Sequence, residues 1–218
     1  MPGAVAEDLD LEIGASHGGG IAIRDGGGDF GPRGDGTDPA YRHASLTGIT
    51  LALGAILMFF MALTSSYIVR KGTTSDWIPI TVPRLLYLNT LVLIASSVTI
   101  ELARRKLARG MIAAYRQMWA LTIGLGLLFV AGQLLAWRTL RAEGVFLATN
   151  PSSSFFYTLT ALHGVHLLGG VIALLYVTVK SWQRSKIGRA TGVQIASIYW
   201  HFMDGLWVFL LLLLTLGR

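Results

Sequence analysis

Cysteine is missing from all 218 residues, so no disulfide can staple the fold and no thiolate can hold a metal. Charge is scarce as well: Asp, Glu, Lys and Arg make up 14% of the chain, while 53% is hydrophobic. With a positive mean hydropathy, that balance excludes an ordinary soluble domain and indicates a membrane protein. Acidic residues are fewest where the chain is most apolar. Residues 1–40 hold eight acidic and two basic side chains, and the remainder holds four acidic and sixteen basic. The basic excess lies in short segments between apolar runs, where it reads as a topology signal and not as a nucleic-acid surface. No nucleic-acid partner is expected.

The first forty residues also have little that could pack. They contain eleven glycines, in runs such as "GASHGGG" and "IRDGGGDFGPRGDGTDP", and too few large apolar residues to offset the entropy of ordering them. Residues 1–40 are therefore expected to be a disordered, acidic, Gly-rich tail. The segment has no apolar core of a secretory signal and starts acidic, so the first hydrophobic helix is expected to direct insertion. Its glycine clusters lack a preceding strand and a following GK[ST], which argues against a phosphate loop.

From Tyr41 onward the picture reverses. Apolar stretches long enough to cross about 30 Å of hydrocarbon occur at Ala44–Val69, Leu85–Leu102, Gln117–Leu140, Ser153–Val179 and Thr191–Leu216. The expected fold is all-α, a five-helix transmembrane bundle over residues 41–218. The linkers are "RKGTTSDWIPITVPR", "ARRKLARGMIAAYR", "RAEGVFLATNPSS" and "KSWQRSKIGRA". The N-terminal flank with the second and fourth linkers carries ten Lys and Arg, against six for the first, the third and the C-terminus. The positive-inside rule then places the N-terminus, and the acidic tail with it, in the cytoplasm.

An ionisable side chain at the bilayer centre costs at least about 2.5 kcal/mol unless paired or hydrated, so polar residues inside the spans mark the candidate site. "LHGVHLLGG" sets His163 and His166 one turn apart in the fourth span, and "YWHFMDGLW" does the same for His201 and Asp204 in the fifth. Each pair shares a helix face. The short linker makes the two helices neighbours, with His166 and Asp204 at nearly the same depth. Three His and one Asp could hold zinc or iron, could form a proton or water path, or could form a buried hydrogen-bond network that fixes packing. The network, with a His166–Asp204 bond directly or through one water, is the preferred expectation, and no metal is assigned. A bis-His haem would need an apolar slot where bulky Trp and Phe stand instead. Small residues Gly164, Gly169, Gly170 and Gly205, with Trp200 and Trp207 beside them, are expected to make the helix-packing contacts. Trp77, Trp119, Trp137 and Trp182 fit an interfacial belt, Glu101 sits beside Arg104 and Arg105, and Gln133 is expected to bond between helices.

These same segments carry a resemblance. "SSSFFYTLTALHGVHLLGGVIALLY" followed by "SIYWHFMDGLWVFLLLL" resembles the H-G-x-H and Y-W-H-F-x-D-x-x-W helices of subunit III of the haem-copper cytochrome c oxidases, and "LMFFMALTSSYIVRK" resembles an earlier helix of the same subunit. The likeness extends over about residues 44 to 218. It implies a non-redox accessory subunit of a proton-pumping oxidase of the aerobic respiratory chain, in the bacterial plasma membrane. Such a subunit packs directly on catalytic subunit I, sustains proton uptake and oxygen reduction over many turnovers, and binds phospholipid. It implies no catalytic residue and no cofactor in this chain, with haem and copper in the partner subunits. Family members with seven helices hold lipid between the first two and the last five, and only the last five are matched here. The family's buried glutamate aligns with Ile56, so no proton-related role of that carboxylate is carried over. A subunit III-like component of a quinol oxidase, an accessory subunit of a nitric oxide reductase and an independent membrane metalloenzyme are the other readings.

Overall fold

The computed structural model describes residues 39–73, 75, 77–78, 83–181 and 186–216; residues 1–38 of the expected tail (1–40) and Trp182 lie outside the described residues. Five α-helices follow in chain order: α1 (Pro39–Thr73), α2 (Arg84–Ala108), α3 (Ile112–Ala142), α4 (Pro151–Ser181) and α5 (Lys186–Leu216). All five are long and apolar enough to cross a membrane, and no strand occurs among the described residues.

Each helix runs further than its apolar stretch. The second linker shows why. Arg104, Arg105, Lys106 and Arg116 were expected between helices, yet they lie inside α2 and α3. Lys and Arg are good helix formers, and beyond the hydrocarbon their charge costs nothing, so the helix stops only where the backbone must turn. That point is Gly110, with φ +76°. Its N–H donates to Leu107 O, and the Met111 N–H reaches back to Lys106 O, both at 3.0 Å, a Schellman ending that needs a left-handed residue. Gly144 ends α3 the same way: φ is +80°, with Gly144 N–H on Arg141 O and Val145 N–H on Leu140 O. Prolines set the starts. Pro39 and Pro151 are the first residues of α1 and α4, where the missing N–H is harmless. Asn150 caps α4, its Oδ1 accepting from the Ser153 N–H at 2.8 Å while Ser153 Oγ accepts from the Asn150 N–H at 3.1 Å. This reciprocal pair satisfies two otherwise orphaned donors. Pro39 also lies inside the segment read as tail, so α1 begins two residues before the expected boundary.

The helices do not pack in chain order. α2 packs on α3, α3 on α4, α4 on α5, and α5 back on α2, which closes a four-helix ring. α1 packs only on α4 and α5, outside that ring. Trp200, Trp207, Phe129 and Phe156 are fully buried in the ring, and Phe60 brings α1 onto it. Phe129 and Trp207 meet edge to face at 4.9 Å, an arrangement favoured by the ring quadrupoles.

Tryptophan N–H groups stitch two sides of the ring. From α3 to α4, Trp119 Nε1 donates to Thr178 Oγ1 at 2.9 Å and Trp137 Nε1 to Thr160 Oγ1 at 3.2 Å. From α5 to α2, Trp200 Nε1 donates to Ser96 Oγ and Trp207 Nε1 to Thr90 Oγ1, both at 3.0 Å. The expected interfacial belt is corrected for Trp119, which is 2% exposed and so faces no headgroup; Trp137 is half-buried. A buried indole N–H has no water to turn to and is held by a neighbouring helix. Trp77 packs edge-on against Tyr67 at 5.1 Å.

Candidate functional site

The four polar residues singled out in α4 and α5 separate in space. His163 is fully buried. Its ring lies 5.1 Å from Trp207 and 6.1 Å from Phe129, and neither ring nitrogen has a hydrogen-bond partner among the described residues. His166 turns toward α1, 5.6 Å from the Phe60 ring, and its Nδ1 bonds the carbonyl of Leu162, one turn back in the same helix, at 2.8 Å. His201 is exposed, with Nδ1 2.7 Å from Ser97 Oγ on α2. Asp204 is 7% exposed, and neither carboxyl oxygen has a hydrogen-bond partner among the described residues.

No direct His166–Asp204 bond therefore joins α4 to α5, and the four residues do not form one directly bonded network. The cause is helical geometry. Residues three apart sit about 60° apart around the axis, enough to send His163 into the ring while His166 meets α1, and to expose His201 while Asp204 is covered. Across the α4–α5 seam the bond that forms is a different one: Tyr199 O–H donates to His166 O at 2.8 Å. Tyr199 is also what the small residues admit. A Cβ on Gly170 would stand 2.9 Å from Tyr199 Cε1, and one on Gly169 3.9 Å from its hydroxyl. Gly164 and Gly205 have nothing within 4 Å, so within this chain neither brings helices together.

Other polar groups, not singled out in the sequence, tie α2 to α3. Asn89 Nδ2 donates to Phe129 O at 2.9 Å, and Thr99 and Thr122 share a hydroxyl bond of 2.8 Å. Gly132 lies directly against the Asn89 amide, and a Cβ on Gly126 would stand 2.7 Å from Trp200 Cη2. The signal was present: Asn89, Ser96 and Ala103 recur every seven residues on α2, as do Leu86, Leu93 and Ile100, and all six are buried. Gln133 is buried, but neither end of its amide has a partner among the described residues, so the expected interhelical bond is absent. Glu101 pairs as expected, 2.8 Å from both Arg104 and Arg105.

Among the described residues no three His, Cys, Asp or Glu come together as a ligand set. The arrangement is suited to fastening helices: hydroxyls, indoles and one amide bond across seams, and glycines admit large rings.

Comparison with known proteins agrees with these motifs. The family model for cytochrome c oxidase subunit III matches residues 42–216, all five helices. A probable cytochrome c oxidase subunit 3 of Mycobacterium bovis is 34% identical over 166 residues, 74% of this chain and 82% of the relative. Cytochrome c oxidase subunit 3 of Synechocystis sp. is 31% identical over 175 residues, covering 78% of this chain and 74% of the relative. The protein of that name from Thermostichus vulcanus is 30% identical over 190 residues, 81% and 90% of the two chains. The chain belongs to the cytochrome c oxidase subunit III family.

Proposed function

We propose that this chain is the non-redox accessory subunit of a proton-pumping cytochrome c oxidase in the bacterial plasma membrane, packed directly on catalytic subunit I. Its role is to hold that subunit in working order, sustaining proton uptake and oxygen reduction over many turnovers. The observation that carries this reading is the family match through residues 42–216, which takes in every transmembrane helix. The use of the span's polar groups supports it, because Trp200, Trp207, Asn89 and Tyr199 all bond across helix seams. Haem and copper then belong to partner subunits. The relatives are named for cytochrome c oxidase, so the quinol oxidase and nitric oxide reductase readings are not favoured.

The basic residues at the α2–α3 turn and around the α4–α5 connection support a cytoplasmic N-terminus. The expected phospholipid finds a candidate place at the opposite membrane boundary. A groove of about 1120 Å³ opens between the end of α1 and the start of α4, lined by Ser66, Arg70 and Asn150 with Val69 and Phe155. A guanidinium and hydroxyls suit a phosphate ester, and the apolar pair suits the upper part of an acyl chain.

Purifying the complex that contains this chain tests the reading. A haem-copper spectrum and cytochrome c oxidation are expected. Oxidase stripped of this chain should start at a normal rate and lose activity during sustained turnover. A chain that co-isolates with no haem-copper protein, or a stripped oxidase that never turns over, overturns it.

A further inference from the structure

One face of the bundle carries an ionisable side chain, near the middle of its span, that the chain does not itself cover. His201 is exposed near the middle of α5. Ser97 engages its Nδ1, and the other ring nitrogen has no partner among the described residues. One turn on, Asp204 is buried on the inner side of this stripe, close to Ser97. Four residues beyond His201, Gly205 is exposed, with open space where a Cβ would stand. Ile198, His201, Gly205 and Val208, all exposed, follow a spacing of three, four and three, so they form one stripe along α5. Glu101 stands one turn beyond Ser97 on α2, so the Glu101–Arg104 pair lies on the same side as the Ser97–His201 bond. Elsewhere at this depth the exposed side chains are apolar, as with Met58 on α1, Leu127 and Leu128 on α3, and Val165 and Ile172 on α4.

We propose that this α2–α5 face docks a transmembrane helix of another oxidase subunit, one that presents a hydrogen-bonding side chain to His201 and closes against Gly205. The proposal rests on the functional reading above. Acyl chains offer no hydrogen bond, so lipid leaves the outward nitrogen of the imidazole unpartnered at a cost. A second copy of this chain would bring the same imidazole and Arg104 against themselves. A polar helix from a different subunit satisfies the imidazole, and Gly205 lets its backbone come close, which is how helices gain contact in lipid.

The test uses the intact oxidase. A photo-cross-linking amino acid at Ile198 or Val208 should yield adducts with a different oxidase subunit, and one at Leu127, on the helix diagonally across the ring, should not. Gly205→Leu should strip this subunit from most of the purified complex while the chain still accumulates in membranes. Gly124→Leu on α3, where a Cβ also meets nothing, should keep wild-type stoichiometry. Adducts with lipid alone or with a second copy of this chain, or wild-type retention of Gly205→Leu, overturn the proposal. If the unmodified chain brings down no haem-copper complex, the functional reading fails first and this one with it. Cross-linking needs no change at Gly205, so it decides the matter even if Gly205→Leu does not fold.

Discussion

Trp200 of α5 donates its indole N–H to Ser96 Oγ of α2 at 3.0 Å, with both side chains fully buried. Ser96 Oγ at the same time donates to Leu93 O at 2.6 Å, so one hydroxyl joins a neighbouring helix to its own backbone. Trp207 and Thr90 repeat the α5–α2 bond further along the seam. Ser96→Ala should weaken the α2–α5 seam by about 0.6 kcal/mol and by no more than about 1.7 kcal/mol. A double-mutant cycle with Trp200→Phe, read by denaturant unfolding in detergent, checks it. A coupling energy indistinguishable from zero removes the bond from the account.

Two glycines of α3 should respond in opposite directions. Gly126→Ala sets a methyl 2.7 Å from Trp200 Cη2, and the resulting overpacking should cost about 1–3 kcal/mol. Gly124→Ala, two residues away in open space, should stabilise by about 0.5–1 kcal/mol through helix propensity alone. Thermal unfolding of the two variants side by side gives the comparison, and equal shifts would show that Trp200 does not lie against Gly126.

The cap of α4 makes a smaller claim. Asn150→Ala removes the acceptor for the Ser153 N–H and should cost about 1 kcal/mol. Asn150→Asp keeps an acceptor and should remain close to wild type. A loss shared by both variants points to the lost amide, not to the cap.

Sidedness is open to a clean chemical test because the chain has no cysteine of its own. Arg109→Cys in the α2–α3 turn and Glu143→Cys at the end of α3 lie at opposite ends of one transmembrane helix. With the N-terminus cytoplasmic, a membrane-impermeant thiol reagent added to intact cells should label Glu143→Cys and spare Arg109→Cys. The reverse pattern inverts the topology, and labelling of both contradicts α3 as a membrane span.

The five helices were legible because each needs a long apolar run, a signal that survives any packing arrangement. Their ends were not, because Arg104 and Lys106 are compatible with both a loop and a helix rim, and only Gly110 decides between them. The neighbouring of α4 and α5 was legible from the short connection, whereas the closing of the ring by α2 and α5 was not, since it links segments 104 residues apart. For the site, i, i+3 spacing identified a common side of the helix but not a common environment. His163 and His166 illustrate the difference, one against Trp207 and the other against Phe60. Tryptophan read as interfacial because aromatic belts are common; that Trp119 instead meets Thr178 depends on rotations about helix axes that one sequence does not encode visibly.

The position of α1 outside the ring bears on biogenesis. Of the five spans α1 leaves the ribosome before the others, yet its packing partners, α4 and α5, are the last of the five. While α2 and α3 can pair as soon as both are inserted, α1 must wait in the bilayer as a solitary helix until more than a hundred further residues have been synthesised. It is fitted for that wait, being the most hydrophobic of the five spans and the one with least of its length covered by protein. α5 carries Trp200, His201 and Asp204 and enters when the helices that receive it are already in place.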